Sequence, residues 1–185
     1  MNTITFTIYI TFYWIKTKIY NFCKQKNCKV YTVDLYASKN INVNGNYIGD
    51  IKDSNFIKKC IDETHPDLVY YLVSFFSFNN VEISTHSIKN SLICLKNLFK
   101  HLVSTQKLVF IGSSAQYGKV PSNFQPVSEN CGFFPVSSYG VFKIFEEYEI
   151  RRLANKHNID VVGARVFNVT GPGEPHRMVG GSIIS

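Results

Sequence analysis

Strand-length apolar runs alternate with longer amphipathic segments along nearly the whole 185-residue chain. The runs at 3–10, 29–34, 68–73, 107–112 and 160–166 are rich in β-branched and aromatic residues, and each reads as a strand. Between them, 15–26, 53–64, 84–101 and 137–157 carry apolar residues at helical spacing. Asp53 or Ser54 supplies an N-cap for the second helix, and His65-Pro66-Asp67 breaks it before the next strand. Strands that are apolar throughout are covered on both faces. Alternation with helices therefore predicts βαβ units, and right-handed crossovers wind them into a parallel sheet between two helical layers. The expected fold is α/β, a doubly wound, three-layer Rossmann-like sheet, with ligands at the carboxyl ends of its strands.

A chain of this length suits one domain, spanning 1–185, and such a domain buries about 70% of its unfolded surface. Its 45% hydrophobic and 18% charged residues describe a globular protein. The net charge of +7 would suit phosphate-bearing ligands or nucleic acid. However, lysine is spread through the chain without basic blocks interleaved with aromatics, so nucleic acid is not an expected partner. The apolar stretch 4–15 ends at Lys16 and Lys18, short of the ~20 residues that cross a bilayer. It also lacks a basic leader and a small-residue cleavage site, so neither a membrane partner nor a targeting signal is expected. Cys23, Cys28, Cys60, Cys94 and Cys131 are odd in number and lack zinc or redox spacing. They read as reduced thiols of a cytoplasmic protein, and no metal site is expected.

Three polar clusters follow apolar strands, where such a sheet places its chemistry. They are Gly112-Ser-Ser-Ala-Gln-Tyr-Gly118, Tyr139-Gly-Val-Phe-Lys143 and Arg165-Val-Phe-Asn-Val-Thr-Gly-Pro-Gly173. Tyr139 and Lys143 are four apart and share a helix face. An ammonium beside a phenol favours the phenolate and suits it to proton transfer, while the Ser113 hydroxyl could hydrogen-bond a substrate oxygen. Spacing alone says little, since Tyr20 and Lys24 share it. Position singles out the Tyr139 pair, after a serine-bearing strand end and before the Phe-Asn-x-x-Gly-Pro-Gly turn.

Together with Pro126-Val-Ser-Glu129 and Pro135-Val-Ser-Ser138, these segments resemble the extended short-chain dehydrogenases. These are NAD-dependent epimerases, dehydratases and reductases of nucleotide sugars. Tyr31-Thr-Val-Asp34, Gly49-Asp-Ile51 and Pro66-Asp-Leu-Val-Tyr-Tyr-Leu72 extend the likeness, more loosely, toward the N-terminus. The resemblance implies a catalytic set of Ser113, Tyr139 and Lys143. It further implies NAD contacts from Asp34, Asp50, Ile51, Leu72, Asn90, Tyr139, Lys143 and Phe167, and substrate contacts from Ser114 and Asn168. Asp34 would meet the adenosine ribose and favour NAD over NADP by repelling a 2′-phosphate, with NADP left open.

Some positions depart from the family pattern. Its Gly-x-x-Gly-x-x-Gly turn falls on Ile10, Tyr13 and Lys16, whose side chains would fill the space of the pyrophosphate. Ser74, Phe75 and Phe76 replace the small residues usual after the following strand. Ala115 replaces the acid that sugar 4,6-dehydratases need, which argues for reduction or epimerisation, closest to the 4-keto-6-deoxymannose reductase branch. Family members continue into a substrate domain, so the chain reads as truncated at its C-terminus. The implied activity is hydride exchange with a nucleotide sugar, and the resemblance leaves a homodimer open. The alternative is a catalytically inactive fragment serving as a binding module.

Overall fold

The computed structural model describes residues 3–8, 13–36, 42–75 and 82–167, with side chains from Thr17 onward. The elements run β1 (Thr3–Ile8), α1 (Tyr13–Gln25), β2 (Lys29–Asp34), β3 (Gly45–Ile48), α2 (Ser54–Thr64), β4 (Leu68–Leu72), α3 (Thr85–His101), β5 (Lys107–Ser113), α4 (Ser138–His157) and β6 (Asp160–Val166). Two short 3-10 turns, Ser114–Gln116 and Ser122–Phe124, lie between β5 and α4. The six strands are parallel in the order β3-β2-β1-β4-β5-β6. This is the doubly wound arrangement that the alternating pattern predicts.

Helix starts fall where side chains satisfy the orphan amides of a first turn. Asp53 accepts from Asn55 N at 2.9 Å and Phe56 N at 3.4 Å. Ser84 accepts from Ser87 N at 3.0 Å, and Ser137 from Gly140 N at 3.1 Å. Helices α2 and α4 end on left-handed residues, His65 and Asn158. Pro66 then follows α2, so the chain turns out toward β4 instead of continuing the helix.

The strands bury alternate side chains on opposite faces. Val69 and Tyr71 of β4, with Leu108 and Phe110 of β5, pack in the larger core against α2, α3 and α4. Leu72 points to the other face, where Tyr20 and Cys23 of α1 cover it together with Val30. Leu95, Phe99 and Leu108 have no exposed surface, and burying each is worth about 1.5–3 kcal/mol.

Strand β3 is absent from the reading of the sequence. Only four residues long, it pairs Gly45 through Ile48 with Tyr31 through Asp34 at one edge of the sheet. Its register, and that of its neighbours, aligns the strand ends. Ile8 lies beside both Asp34 and Leu72, and Ser113 lies beside Val166. The carboxyl ends thus form one rim, and the chain order reverses there between β1 and β4.

Candidate functional site

Ser113 closes β5 and caps the following 3-10 turn. Its Oγ accepts from Ala115 N at 3.2 Å, and Gln116 Oε1 accepts from Ser113 N at 2.8 Å. This reciprocal pair follows from the Ser-x-x-Gln spacing of residues 113–116. The turn hands the chain from the sheet rim toward the start of α4, leaving Ser113 and Ser114 half-buried.

Gly140 sets how closely α4 approaches that turn. A Cβ at this position would lie 2.3 Å from Ala115 O and 3.1 Å from Pro135 Cβ, so only glycine admits the contact. Ser113 and Tyr139 flank the junction, one two residues before Ala115 and the other adjacent to Gly140. Lys143 follows one helical turn later and is 3% exposed.

A buried polar network locks this junction. Gln116, with no exposed surface, donates Nε2 to Glu147 Oε2 of α4 at 2.8 Å while its oxygen holds Ser113 N. Glu147 also accepts from Arg165 Nε at 3.0 Å, Arg165 Nη2 at 2.8 Å and Arg151 Nε at 3.0 Å. Arg165 Nη1 in turn donates to Tyr117 Oη at 2.9 Å and Glu129 O at 3.0 Å. Its guanidinium lies 4.7 Å from the Phe133 ring centre and 5.2 Å from that of Tyr117. The hydrogen bonds it donates to Glu147 push the Arg165 pKa above its ordinary value.

Lys143 Nζ donates to Glu146 Oε2 at 2.7 Å, and Glu146 Oε1 accepts from Ser91 Oγ of α3 at 3.1 Å. Burial presses the lysine pKa down. The Glu146 carboxylate, with the nearby Tyr139, outweighs burial and holds the value above its ordinary 10.5.

The other candidates occupy both sides of the rim. Asp34 ends β2 and is buried. Asp50, after β3, accepts from Lys52 N at 2.9 Å and pairs with Lys52 Nζ at 3.2 Å, while Ile51 is buried beneath it in the core. Leu72 ends β4, and Asn90 is buried in α3. Phe167 is 61% exposed and stacks on Tyr117 with ring centres 6.0 Å apart. Asn168 and Ile10 lie outside the described residues. Tyr13 is the first residue of α1 and Lys16 falls in its first turn. Ser74 is buried at 6%, Phe75 packs on the larger core, and Phe76 lies outside the described residues.

The reading of the sequence missed Gln116, Glu146 and Glu147. Gln116 carried a usable signal in the capping-box spacing. The two glutamates lie three and four residues beyond Lys143, on its own helix face, which was also a signal. Among the described residues, no three His, Cys, Asp or Glu side chains gather as a metal would require. No described helix is long and apolar enough to cross a membrane.

Comparison with known proteins matches residues 17–185 to the profile described as the NAD dependent epimerase/dehydratase family. GDP-mannose 4,6 dehydratase of Cricetulus griseus is 26% identical over 147 residues, covering 75% of this chain and 39% of that protein. ADP-L-glycero-D-manno-heptose-6-epimerase of Brachyspira hyodysenteriae is 31% identical over 124 residues, covering 58% of this chain and 38% of that protein. The chain thus spans about two fifths of the length of these curated relatives. Among solved structures, UDP-glucose 4-epimerase from Brucella ovis in complex with NAD superposes with a TM-score of 0.77. It is 20% identical, over 91% of this chain and 52% of that one.

Proposed function

Because the chain belongs to the NAD dependent epimerase/dehydratase family, we propose that it forms the cofactor-binding part of an oxidoreductase acting on a nucleotide-linked sugar. Epimerisation or reduction is the reaction class, since Ala115 offers no acid for dehydration. One observation carries the reading. Gly140 lets the Tyr139 end of α4 abut the Ser113 turn at the sheet rim, with Lys143 one turn further along the same helix.

The donor set suits a dinucleotide laid along that rim. The Asp34 carboxylate at the end of β2 is matched to a ribose diol, with Asp50 and Ile51 beside the base. Across β1, Leu72, Asn90, Lys143 and Phe167 would border the nicotinamide half. NAD would supply the hydride acceptor, and Asp34 disfavours the extra phosphate of NADP. Tyr139 would hold or release the proton at the reacting oxygen, and Ser113 Oγ would hydrogen-bond that oxygen. Ser114 and Asn168 would face the nucleotide sugar, and a homodimer belongs to the same proposal.

NAD(H) titration followed by fluorescence, then turnover on a nucleotide-linked sugar, tests this reading. Tyr139→Phe should retain binding and abolish turnover, and absence of binding at millimolar NAD(H) would overturn the proposal. A second reading, a non-catalytic binding module, is favoured by Tyr13 and Lys16 in the first turn of α1, where the family has glycine. Robust turnover by the 185-residue chain excludes it.

A further inference from the structure

Lys143 forms an ion pair beneath the start of α4 with Glu146, and neither Glu146 nor its partner Ser91 has a role in the chemistry assigned so far. Lys143, Glu146 and Ser91 are each 3% exposed or less, and they link α4 to α3 through two side-chain hydrogen bonds. Beside them lies a cavity of about 10 Å³, bordered by Tyr71 of β4, Gly112 of β5, Lys143 and Glu146. The phenol of Tyr71 reaches this region and has no hydrogen-bond partner among the described residues. The lysine therefore sits in an enclosed site, where an uncompensated ammonium would shed its proton.

We propose that Glu146, braced by Ser91, is a positioning residue that keeps Lys143 charged and aimed so that its ammonium acts on Tyr139. This deepens the oxidoreductase reading and rests on it. The geometry singles out Glu146 from the other ionisable groups packed around the lysine. Glu147, on the same helix, is committed to Gln116, Arg151 and Arg165. Burial pushes the Cys94 thiol of α3 up to about 12 and the Tyr71 phenol of β4 well above its ordinary range. Both are neutral where the lysine is charged. Among the described residues packed here, Glu146 is the carboxylate that pairs with Lys143. Ser91 restrains it by occupying its second oxygen, which leaves Oε2 turned to the ammonium.

The test is an NMR titration of the whole chain with labelled lysine, in which Lys143→Arg identifies the resonance. It needs no cofactor. In the unaltered protein, Lys143 should remain charged past pH 10.5. In Glu146→Gln its midpoint should fall by at least about one pH unit, a tenfold loss of proton affinity. Glu146→Asp should recover part of that loss. Ser91→Ala should move the midpoint the same way by less, and it serves as the measurement if Glu146→Gln does not fold. An unmoved midpoint in either folded variant overturns the inference.

Where turnover is measurable, the alkaline limb of its pH profile should move down in Glu146→Gln, and a limb that stays in place also overturns the inference. If the Lys143 midpoint falls but NAD(H) does not bind, the oxidoreductase reading has failed while the charge-holding role of Glu146 stands. If NAD(H) binds and turns over with an unmoved midpoint, the failure belongs to Glu146 alone.

Discussion

Replacing Glu147 with glutamine preserves the side chain's shape and removes its charge. Burial alone would push this carboxyl up. The hydrogen bonds from Arg165, Gln116 and Arg151 together outweigh burial and hold it at about 2, against an ordinary 4.5. Each pKa unit is worth about 1.36 kcal/mol, so the carboxylate contributes about 3 kcal/mol at neutral pH. The Arg151 side of the site is half exposed, and screening there lowers the figure to about 2 kcal/mol. The sign follows from proton uptake. Between pH 4.5 and 2 the unfolded chain binds this proton and the folded one does not, so stability present above pH 4.5 is lost as pH falls toward 2. The variant also leaves the Arg165 guanidinium, 16% exposed at its side chain, without a counter-charge. Glu147→Gln should therefore cost about 3 kcal/mol or more at pH 7. Urea denaturation of both proteins from pH 7 to pH 2 measures the difference, which should shrink below pH 4.5. A difference under about 1 kcal/mol at pH 7, or one that stays constant down to pH 2, would refute the reasoning.

Gly140→Ala should destabilise the fold by about 1–3 kcal/mol, because the new Cβ meets the Ala115 carbonyl at 2.3 Å. Thermal unfolding reads the loss, and an unchanged midpoint would mean that α4 can shift freely away from the Ser113 turn. Asp53→Ala should cost about 1 kcal/mol by orphaning the Asn55 and Phe56 amides, measured by urea denaturation. Alkylation by iodoacetamide should reach Cys28 well before Cys60 and Cys94, both buried with thiols pushed up to about 12. Mass spectrometry of the digested protein orders the three, and early labelling of Cys94 would contradict its burial.

The parallel sheet was legible because its strands are buried on both faces and so are apolar throughout. Lys29–Asp34 and Asp160–Val166 coincide with the runs read from the sequence. Strand β3 was not legible. Four residues among asparagines carry too short a pattern, and the strand is fixed by its pairing with β2. The helix starts were read one residue early at Asp53, Ser84 and Ser137, because each cap belongs chemically to the helix while its backbone remains extended. In the site, Ser113, Tyr139 and Lys143 stand in motifs that survive as local strings of residues. Glu146 and Gln116 lie only three residues from Lys143 and Ser113, but the groups that hold them in place are not local in that sense. Glu146 meets Ser91 across 55 positions, and Gln116 meets Glu147 across 31. Such pairs emerge only when α3, β5 and α4 pack together.

Gln116 has one further consequence. Its amide is committed at both ends, accepting from Ser113 N and donating to Glu147, so it can occupy the site in only one orientation. Turning it over would set its NH2 against the Ser113 amide and its oxygen against a carboxylate. The side chain therefore works as a keyed linkage between strand and helix. A tilt of α4 that carried Glu147 with it would pull on Gln116 and draw the Ser113 backbone along. The hydroxyl at the end of β5 and the phenol at the start of α4 would then travel as one part, keeping their spacing.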